Sequence, residues 1–260
     1  MQPTRIQQLF ERTRREGRAA LVAYLTAGDP SPEKTPEIAA MLVRAGVDLI
    51  ELGVPFSDPV ADGPVIQRAS ARALAAGTTL TKVLEIARKI RAESEVPLLL
   101  FTYMNPALHY GLEKLAGDAK AAGIDGCLLT DLSVEEAGPY VAPLRAAGLD
   151  TVFLAAPTST ERRLKLVAEY STGFVYLVSR TGVTGERAAL SESVEPLIAK
   201  MKKVTNLPLA VGFGISTPEQ AAAVSRMADA VVVGSAIVRQ IEKDVNGLET
   251  LVRSLAQARS

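Results

Sequence analysis

The chain has 260 residues, in which 29 lysines and arginines balance 29 aspartates and glutamates, so that the formal net charge is zero. Proteins that bind nucleic acid or a membrane surface need an excess of positive charge, and this composition argues against both functions. The single cysteine excludes an intramolecular disulfide and a cysteine-rich zinc site, and the single histidine excludes a multi-histidine metal centre. No apolar segment approaches the ~20 residues of a membrane-spanning helix, and residues 1–17 lack the apolar core of a secretory signal. We therefore expect a cytoplasmic protein without a bound metal.

Short apolar segments alternate with segments of helical period along the sequence. The apolar segments predict eight strands, at 20–26, 48–54, 97–103, 126–131, 151–156, 174–179, 208–213 and 230–233. The segments between and after them predict helices at 37–45, 65–76, 82–93, 112–122, 134–147, 162–170, 194–203 and 219–227. Most of the strands are apolar at successive positions, which is typical of a parallel sheet covered by helices.

Eight such units in ~250 residues predict an α/β fold of the (β/α)8 type, a TIM barrel. We expect one domain over residues 1–260, with an extra helix in the first ~15 residues. An open, doubly wound sheet is the alternative, but no Gly-x-Gly-x-x-Gly sequence follows the first strand. In a barrel of this type the functional site lies at the carboxyl ends of the strands.

The second strand contains an acidic residue between apolar neighbours. Because side chains alternate along a strand, Glu51 would point into the barrel together with Leu49 and Gly53. Burial raises the pKa of a carboxyl group, and a raised pKa suits proton transfer near neutral pH. A structural glutamate that pairs with a buried cation is the alternative.

The segment 55–64, which follows the second strand, contains three prolines and a glycine together with Asp58 and Asp62. Prolines restrict the backbone, so an acidic side chain held there loses little entropy on binding. The alternative is that both aspartates are turn or cap residues, which is their most common use.

Aromatic side chains end two further strands. Phe101, Tyr103 and Asn105 would share one face of the third strand, and Tyr176 lies on the sixth. An apolar slot that ends in a phenol and an amide suits a flat aromatic ligand with a polar edge, although core packing explains the same pattern. The polar, glycine-containing segment 181–186 is long enough to close over a site as a lid.

Glycines follow the seventh and eighth strands, at Gly212 and Gly214 and at Gly234 before Ser235. They would let backbone N–H groups approach an anion, and a short helix after the eighth strand would direct its positive end towards that anion. Barrels of this type commonly bind phosphate at this place. Elsewhere, we expect His109 on the surface and Cys127 in the core.

Residues 49–67, LIELGVPFSDPVADGPVIQ, closely resemble the signature of the tryptophan synthase alpha subunit family. The resemblance continues in order through 24–30, 103–106, 131–132, 179–185, 212–215 and 234–238, and so covers nearly the whole chain. It implies a (β/α)8 barrel that cleaves indole-3-glycerol phosphate to indole and glyceraldehyde 3-phosphate in tryptophan biosynthesis. It also implies no cofactor in this chain and a partner, the tryptophan synthase beta subunit, which carries pyridoxal phosphate in an α2β2 complex.

The resemblance also implies roles for particular residues. Glu51 and Asp62 match the two catalytic acids of the family, and Tyr176 matches the tyrosine beside them. The positions that match the indole pocket are Tyr24, Ile66, Phe101, Tyr103 and Phe213, and those that match the phosphate site are Gly185, Gly214, Gly234 and Ser235. Residues 55–62 and 105–110 would form the face that binds the beta subunit.

Cleavage of the carbon–carbon bond requires a proton on the ring carbon and removal of a proton from the adjacent hydroxyl. A carboxyl group of raised pKa can do both in turn, which assigns Glu51, and an ionised Asp62 would stabilise the positive charge on the ring nitrogen. One alternative is a stand-alone lyase that releases free indole. A sugar-phosphate isomerase or epimerase would usually require a metal, a lysine, or a histidine beside a carboxylate, and a non-catalytic allosteric barrel would not need the two acids.

Overall fold

The computed structural model describes residues 3–178, 187–212 and 214–259, and their strands form one parallel sheet. The strands are β1 (Ala20–Thr26), β2 (Leu49–Gly53), β3 (Leu98–Thr102), β4 (Gly126–Leu129), β5 (Asp150–Thr151), β6 (Phe153–Ala155), β7 (Val175–Val178), β8 (Leu209–Gly212) and β9 (Ala230–Val233). Their order in the sheet is β5-β4-β3-β2-β1-β9-β8-β7-β6. The two strands at the ends of this order, β5 and β6, are separated in the chain by Val152 alone, so the sheet forms a nearly closed barrel. The predicted TIM barrel is confirmed, with its fifth strand divided in two.

Helices surround the described part of the barrel. They are α1 (Arg5–Arg15), α2 (Lys34–Arg44), α3 (Pro64–Ala75), α4 (Leu80–Glu93), α5 (Met104–Tyr110), α6 (Leu112–Ala121), α7 (Gly138–Ala146), α8 (Glu161–Tyr170), α9 (Arg187–Met201), α10 (Pro218–Ser225), α11 (Ser235–Lys243) and α12 (Leu248–Gln257). Short 3-10 helices occupy Val134–Glu136 and Val245–Gly247. None of the helices within the described residues has the length and apolar character that a membrane crossing requires.

The predicted extra helix at the N-terminus is α1, which closes the amino end of the barrel. Its first turn is capped by Thr4, whose side chain accepts a hydrogen bond from the backbone of Gln7. Its apolar face places Ile6, Leu9 and Phe10 in the barrel interior, where they are buried. The Phe10 ring lies 5.6 Å from the ring of Phe174, which directly precedes β7. The opposite, carboxyl end of the barrel is therefore the end at which a site can form.

Two helices were not predicted from the sequence. One, α5, lies at the carboxyl end of the barrel, and the other, α12, is the last helix of the described chain. Helix α5 begins where a distant carboxylate caps it, because Asp131 Oδ1 accepts a hydrogen bond of 2.7 Å from the backbone N–H of Met104. Helix α12 buries Leu248, Val252 and Leu255, and this helical spacing was present in the sequence. Helix α9 also begins seven residues earlier than predicted, at residue 187 instead of 194.

The core has two parts, one on each side of the sheet. The larger part fills the space between strands and helices, and the smaller one fills the barrel interior. All seven residues of β1 and all five of β2 are buried, as expected for strands covered on both faces. Side-chain alternation places Leu49 and Tyr24 in the interior, and Glu51 lies on the same face of β2 as Leu49.

Candidate active site

A cavity of about 250 Å³ opens at the carboxyl end of the barrel. Residues from β1, β2, β3, β7 and β9, and from the segments that follow β2, β8 and β9, form its wall. The lining residues are Tyr24, Glu51, Ala61, Asp62, Gly63, Ile66, Phe101, Tyr176, Gly214, Ile215, Ser216, Val232, Gly234, Ser235, Ala236 and Arg239. The fold therefore brings together the two predicted acids, most of the predicted indole pocket and three of the four predicted phosphate positions.

Glu51 lies at the bottom of the cavity and is only 1% exposed. Its Oε1 atom has no hydrogen-bond partner within the part of the chain that the structure describes. Burial raises the pKa of this carboxyl group from 4.5 to about 8, and no cation among the described residues opposes the shift. The alternative of a structural glutamate with a buried positive partner therefore finds no support among these residues. A carboxyl group with this pKa can donate and accept a proton near neutral pH.

Asp62 lies at the mouth of the cavity, just before α3. The hydroxyl of Tyr103 donates a hydrogen bond of 2.9 Å to Asp62 Oδ2. Burial raises the pKa of the Asp62 carboxyl, and the hydrogen bond from Tyr103 opposes part of this shift. Asp58, the other aspartate of this segment, is exposed and is not among the described residues that line the cavity.

Two buried tyrosines project into the cavity beside glycines. A Cβ atom built on Gly53 would lie 2.2 Å from the hydroxyl oxygen of Tyr24, and one built on Gly212 would lie 2.2 Å from that of Tyr176. Burial raises the pKa of both phenols, and so does the nearby carboxyl of Glu51. Both tyrosines therefore keep their protons, and the absence of a side chain at the two glycines makes room for the hydroxyls.

Neither Gly53 nor the space around Gly212 was predicted from the sequence to shape the cavity. The available signal was a glycine at an inward-facing position near the carboxyl end of a strand, which often marks close approach of another group. Arg239 was missed as well. It lies on α11 one turn beyond Ser235, and this spacing puts the two side chains on the same face of the helix.

The expected phosphate end of the cavity lies where α11 begins. Gly234 and Ser235 line the cavity there, and α11 starts at Ser235. Gly214 lines the same region with a φ of 83°, a conformation that favours glycine. The predicted residues Gly185 and Phe213 and the predicted lid at 181–186 lie outside the described residues.

Tyr103, a predicted residue of the indole pocket, is 2% exposed and is not one of the described residues that line the cavity. Asn105, which was expected on the same strand face, is exposed on α5 because the strand has already ended. His109 is exposed and Cys127 is buried, as predicted.

No group of three or more histidine, cysteine, aspartate or glutamate side chains in the described ranges could hold a metal ion. The chemical groups of the cavity are instead two carboxyls of raised pKa, two protonated phenols, one guanidinium and the N-terminus of a helix. This arrangement can transfer protons and bind an anion.

Comparison with known proteins agrees with this geometry. The sequence model of the family described as tryptophan synthase alpha chain matches residues 10–260. The tryptophan synthase alpha chain of Solibacter usitatus is 67% identical over 258 residues, with 97% of each chain covered. That of Geobacter sulfurreducens is 51% identical over 240 residues, with 92% of this chain and 91% of the relative covered.

Solved structures lead to the same family. The crystal structure of tryptophan synthase subunit alpha from Legionella pneumophila superposes with a TM-score of 0.92 at 37% identity, covering 99% of this chain and 98% of the other. A tryptophan synthase structure from Mycobacterium tuberculosis, in an open form, superposes with a TM-score of 0.92 at 36% identity and covers 99% of each chain. The chain therefore belongs to the tryptophan synthase alpha chain family, whose members are lyases of tryptophan biosynthesis.

Proposed function

We propose that this chain cleaves indole-3-glycerol phosphate to indole and glyceraldehyde 3-phosphate in a retro-aldol reaction. The observation that carries the proposal is Glu51, a buried carboxyl group with a pKa of about 8 that opens onto the cavity. Asp62 and the N-terminus of α11 border the same cavity, so one substrate could contact all three.

Glu51 serves as the proton shuttle. In its protonated form it donates a proton to the ring carbon that carries the glycerol chain, which places a positive charge on the ring nitrogen. The resulting carboxylate then removes the proton from the hydroxyl next to the ring. The carbon–oxygen double bond forms, the carbon–carbon bond breaks, and its electron pair returns to the ring to give neutral indole. Glu51 regains its proton in this way and needs no other group to reset it.

Asp62 has a different role, which concerns the positive charge on the ring nitrogen. As an ionised carboxylate it would accept a hydrogen bond from the ring N–H and stabilise the positive charge that develops there. Tyr24, Phe101 and Ile66 supply the apolar wall against which the indole ring packs. The protonated phenol of Tyr176 lies near Glu51 and can donate a hydrogen bond to a substrate oxygen.

The phosphate group of the substrate would lie at the start of α11. The backbone N–H groups of Gly234 and Ser235 and the positive end of the helix favour a negative charge there. Gly214 lets the backbone after β8 approach the same place. Because proton transfer and anion binding use only side chains and backbone groups of this chain, we propose that it needs no cofactor of its own.

We further propose that the chain acts with a tryptophan synthase beta subunit in an α2β2 complex, and that this partner carries the pyridoxal phosphate. Support comes from the predicted partner face at 55–62 and 105–110. Val60 is 84% exposed and Leu108 is 56% exposed, and these are two of the three large apolar side chains that are exposed within the described residues. A contact between this face and the beta subunit would cover both side chains. As in other biosynthetic enzymes, we place the reaction in the cytoplasm.

The test is incubation of the pure chain with indole-3-glycerol phosphate, with and without a beta subunit, while indole and glyceraldehyde 3-phosphate are measured. We expect both products in equal amounts and a faster reaction when the beta subunit is present. High activity that the beta subunit does not change would indicate the stand-alone lyase. Binding of the substrate without any indole in either arm would contradict the proposed reaction and indicate a non-catalytic barrel.

A further inference from the structure

Tyr103 has a place in the structure that its resemblance to an indole-pocket residue does not explain. It directly precedes α5 at the end of β3, and its side chain is buried. Its hydroxyl reaches the segment that follows β2 and ends in Asp62. The contacts of this one side chain therefore concern the position of a catalytic acid more than the shape of the pocket.

The Tyr103 hydroxyl makes two hydrogen bonds to the end of this segment. It donates to Asp62 Oδ2 at 2.9 Å and accepts from the backbone N–H of Ala61 at 3.1 Å. A phenol has one proton to donate and can accept at the same oxygen, so both capacities are used. The hydroxyl thus holds the backbone and the carboxylate of neighbouring residues at the same time.

The Tyr103 ring contacts the beginning of the same segment. The ring of Phe56 lies with its centroid 5.2 Å from that of Tyr103, at an angle of 38°. Between these two contacts, Ser57, Asp58 and Val60 are exposed. One buried side chain therefore holds both ends of an otherwise exposed segment against the barrel.

We propose that Tyr103 is a positioning residue for Asp62, which it fixes through Oδ2 so that Oδ1 is directed towards the ring N–H of the substrate. This inference rests on the proposed function, because it assigns Tyr103 a role in that reaction. A substrate group held in the right geometry reacts much faster than a mobile one, and the same holds for the catalytic group that it meets. Loss of the hydroxyl should therefore slow turnover through Asp62 and through no other residue.

The charge of the site is consistent with this role. A hydrogen bond from a phenol stabilises the ionised form of a carboxyl group, and burial acts in the opposite direction at Asp62. Burial and the nearby Asp62 raise the pKa of Tyr103, which keeps the donated proton on the phenol. Among the residues that the structure describes, the other titratable groups of the cavity wall are Tyr24, which interacts with Asp62, and Glu51, Tyr176 and Arg239.

The first experiment compares Tyr103→Phe with Tyr140→Phe in the full chain. The control removes the hydroxyl of a tyrosine on α7 that is buried between the strands and helices, outside the cavity lining, and that has no hydrogen-bond partner within the described residues. We expect Tyr103→Phe to lower kcat at least ~10-fold, as for a lost hydrogen bond to a charged group, and to move the acidic limb of the pH profile to higher pH. The control should stay within about twofold of the unaltered chain, since it keeps the ring and loses no hydrogen bond among these residues.

The second experiment separates positioning from a general structural effect. Because Tyr103 acts through Asp62, Tyr103→Phe should lower kcat in the unaltered background and leave it unchanged in an Asp62→Asn background. Equal losses in both backgrounds would overturn the inference. Para-aminophenylalanine at position 103 keeps the ring and a donor, so it should recover most of kcat even if Tyr103→Phe proves unstable, and a failure to recover would also overturn it.

The two proposals can fail separately. If the unaltered chain releases no indole, the proposed function fails and this inference fails with it. If the unaltered chain is active and Tyr103→Phe keeps its kcat and its acidic limb, only the role of Tyr103 is overturned.

Discussion

Glu51 lies directly opposite Tyr24 in the parallel pairing of β1 with β2, and opposite Leu99 in the pairing of β2 with β3. Residues in register on neighbouring strands point to the same face, so the carboxyl group stands between a phenol and an aliphatic side chain inside the barrel. Neither neighbour carries a charge that could stabilise the ionised form. The pairing thus explains why burial alone raises the pKa of Glu51 to about 8.

Glu51→Gln should abolish most of the turnover. Glutamine has nearly the same shape but cannot transfer the proton, so we expect kcat/KM to fall at least ~10²-fold. In the unaltered chain the protonated form is required first, and kcat/KM should therefore decrease as the pH rises through about 8. Indole release across the pH range measures both effects. A variant with a near-normal rate, or a profile that rises through this range, would contradict the assignment.

The same substitution should stabilise the fold at higher pH. The folded chain holds a proton on Glu51 up to a pH of about 8, whereas the unfolded chain loses it near the ordinary pKa of 4.5. The stability that Glu51 contributes is therefore fully present below a pH of about 4.5 and is lost as the pH rises to about 8. The loss amounts to about 1.4 kcal/mol per pH unit in this window.

Denaturant unfolding of both chains between about pH 5 and about pH 8 measures this difference. Glu51→Gln has no titrating group at this position, so its advantage over the unaltered chain should grow with pH. An advantage that stays constant across the range would show that the folded and unfolded chains bind this proton equally.

Asp62→Asn should also lower turnover at least ~10²-fold, because the amide cannot stabilise the positive charge on the ring nitrogen. Asp58→Asn is the matched control, since Asp58 belongs to the same segment but is exposed and bonded to the hydroxyl of Ser57. Assays on the isolated chain should show a large loss for the first variant and almost none for the second. Similar losses of turnover in both variants would show that the effect comes from the whole segment and not from the Asp62 carboxylate.

Periodicity in the sequence was sufficient to predict the barrel and the inward direction of Glu51. Both follow from local rules, because apolar runs mark buried strands and alternation fixes the face of each side chain. Asp62 could be located as an acid in a proline-rich segment, but its selection over Asp58 depended on family resemblance. The structure separates the two by exposure, which a sequence pattern does not encode.

Contacts between distant residues could not be predicted in this way. Tyr103 and Asp62 are 41 positions apart, and nothing near either residue reveals their hydrogen bond. Strand alternation predicted Asn105 on the same face as Tyr103, but the strand has ended there and α5 begins at Met104. The cap of this helix comes from Asp131, which follows β4 and is distant in sequence. The roles of Gly53 and Arg239 likewise depend on which side chains meet them across the barrel.

Gly53→Ala should destabilise the chain, because its new methyl group would overlap the Tyr24 side chain. The Cβ would lie 2.2 Å from the hydroxyl oxygen and 2.5 Å from the ring carbon that carries it. Overpacking of a core costs about 1–3 kcal/mol. Tyr24→Leu in the same chain removes both atoms, so the double variant should lose less stability than the two single variants together predict. Strictly additive free energies of unfolding would contradict a direct clash.

Arg72 connects three elements around the site, and its removal should destabilise the fold. Its guanidinium donates two hydrogen bonds of 2.8 Å to Asp29, which is 4% exposed, and a third of 2.8 Å to Glu242 on α11. Arg72→Ala would leave the Asp29 carboxylate buried without its partner, and we expect a cost of about 1–3 kcal/mol. Arg72→Lys should recover little of it, because an ammonium group cannot form the two-pronged contact.

Arg68 provides the control for this prediction. It lies one turn before Arg72 on α3 and also binds Glu242, at 3.0 and 2.8 Å, but its side chain is 54% exposed. Arg68→Ala leaves Asp29 paired, and an exposed ion pair contributes little to stability, so the unfolding midpoint should hardly move. Thermal or denaturant unfolding of Arg72→Ala, Arg72→Lys and Arg68→Ala measures how much stability each variant loses. A larger loss for Arg68→Ala than for Arg72→Ala would show that the exposed contacts with Glu242, and not the buried carboxylate of Asp29, hold α3 in place.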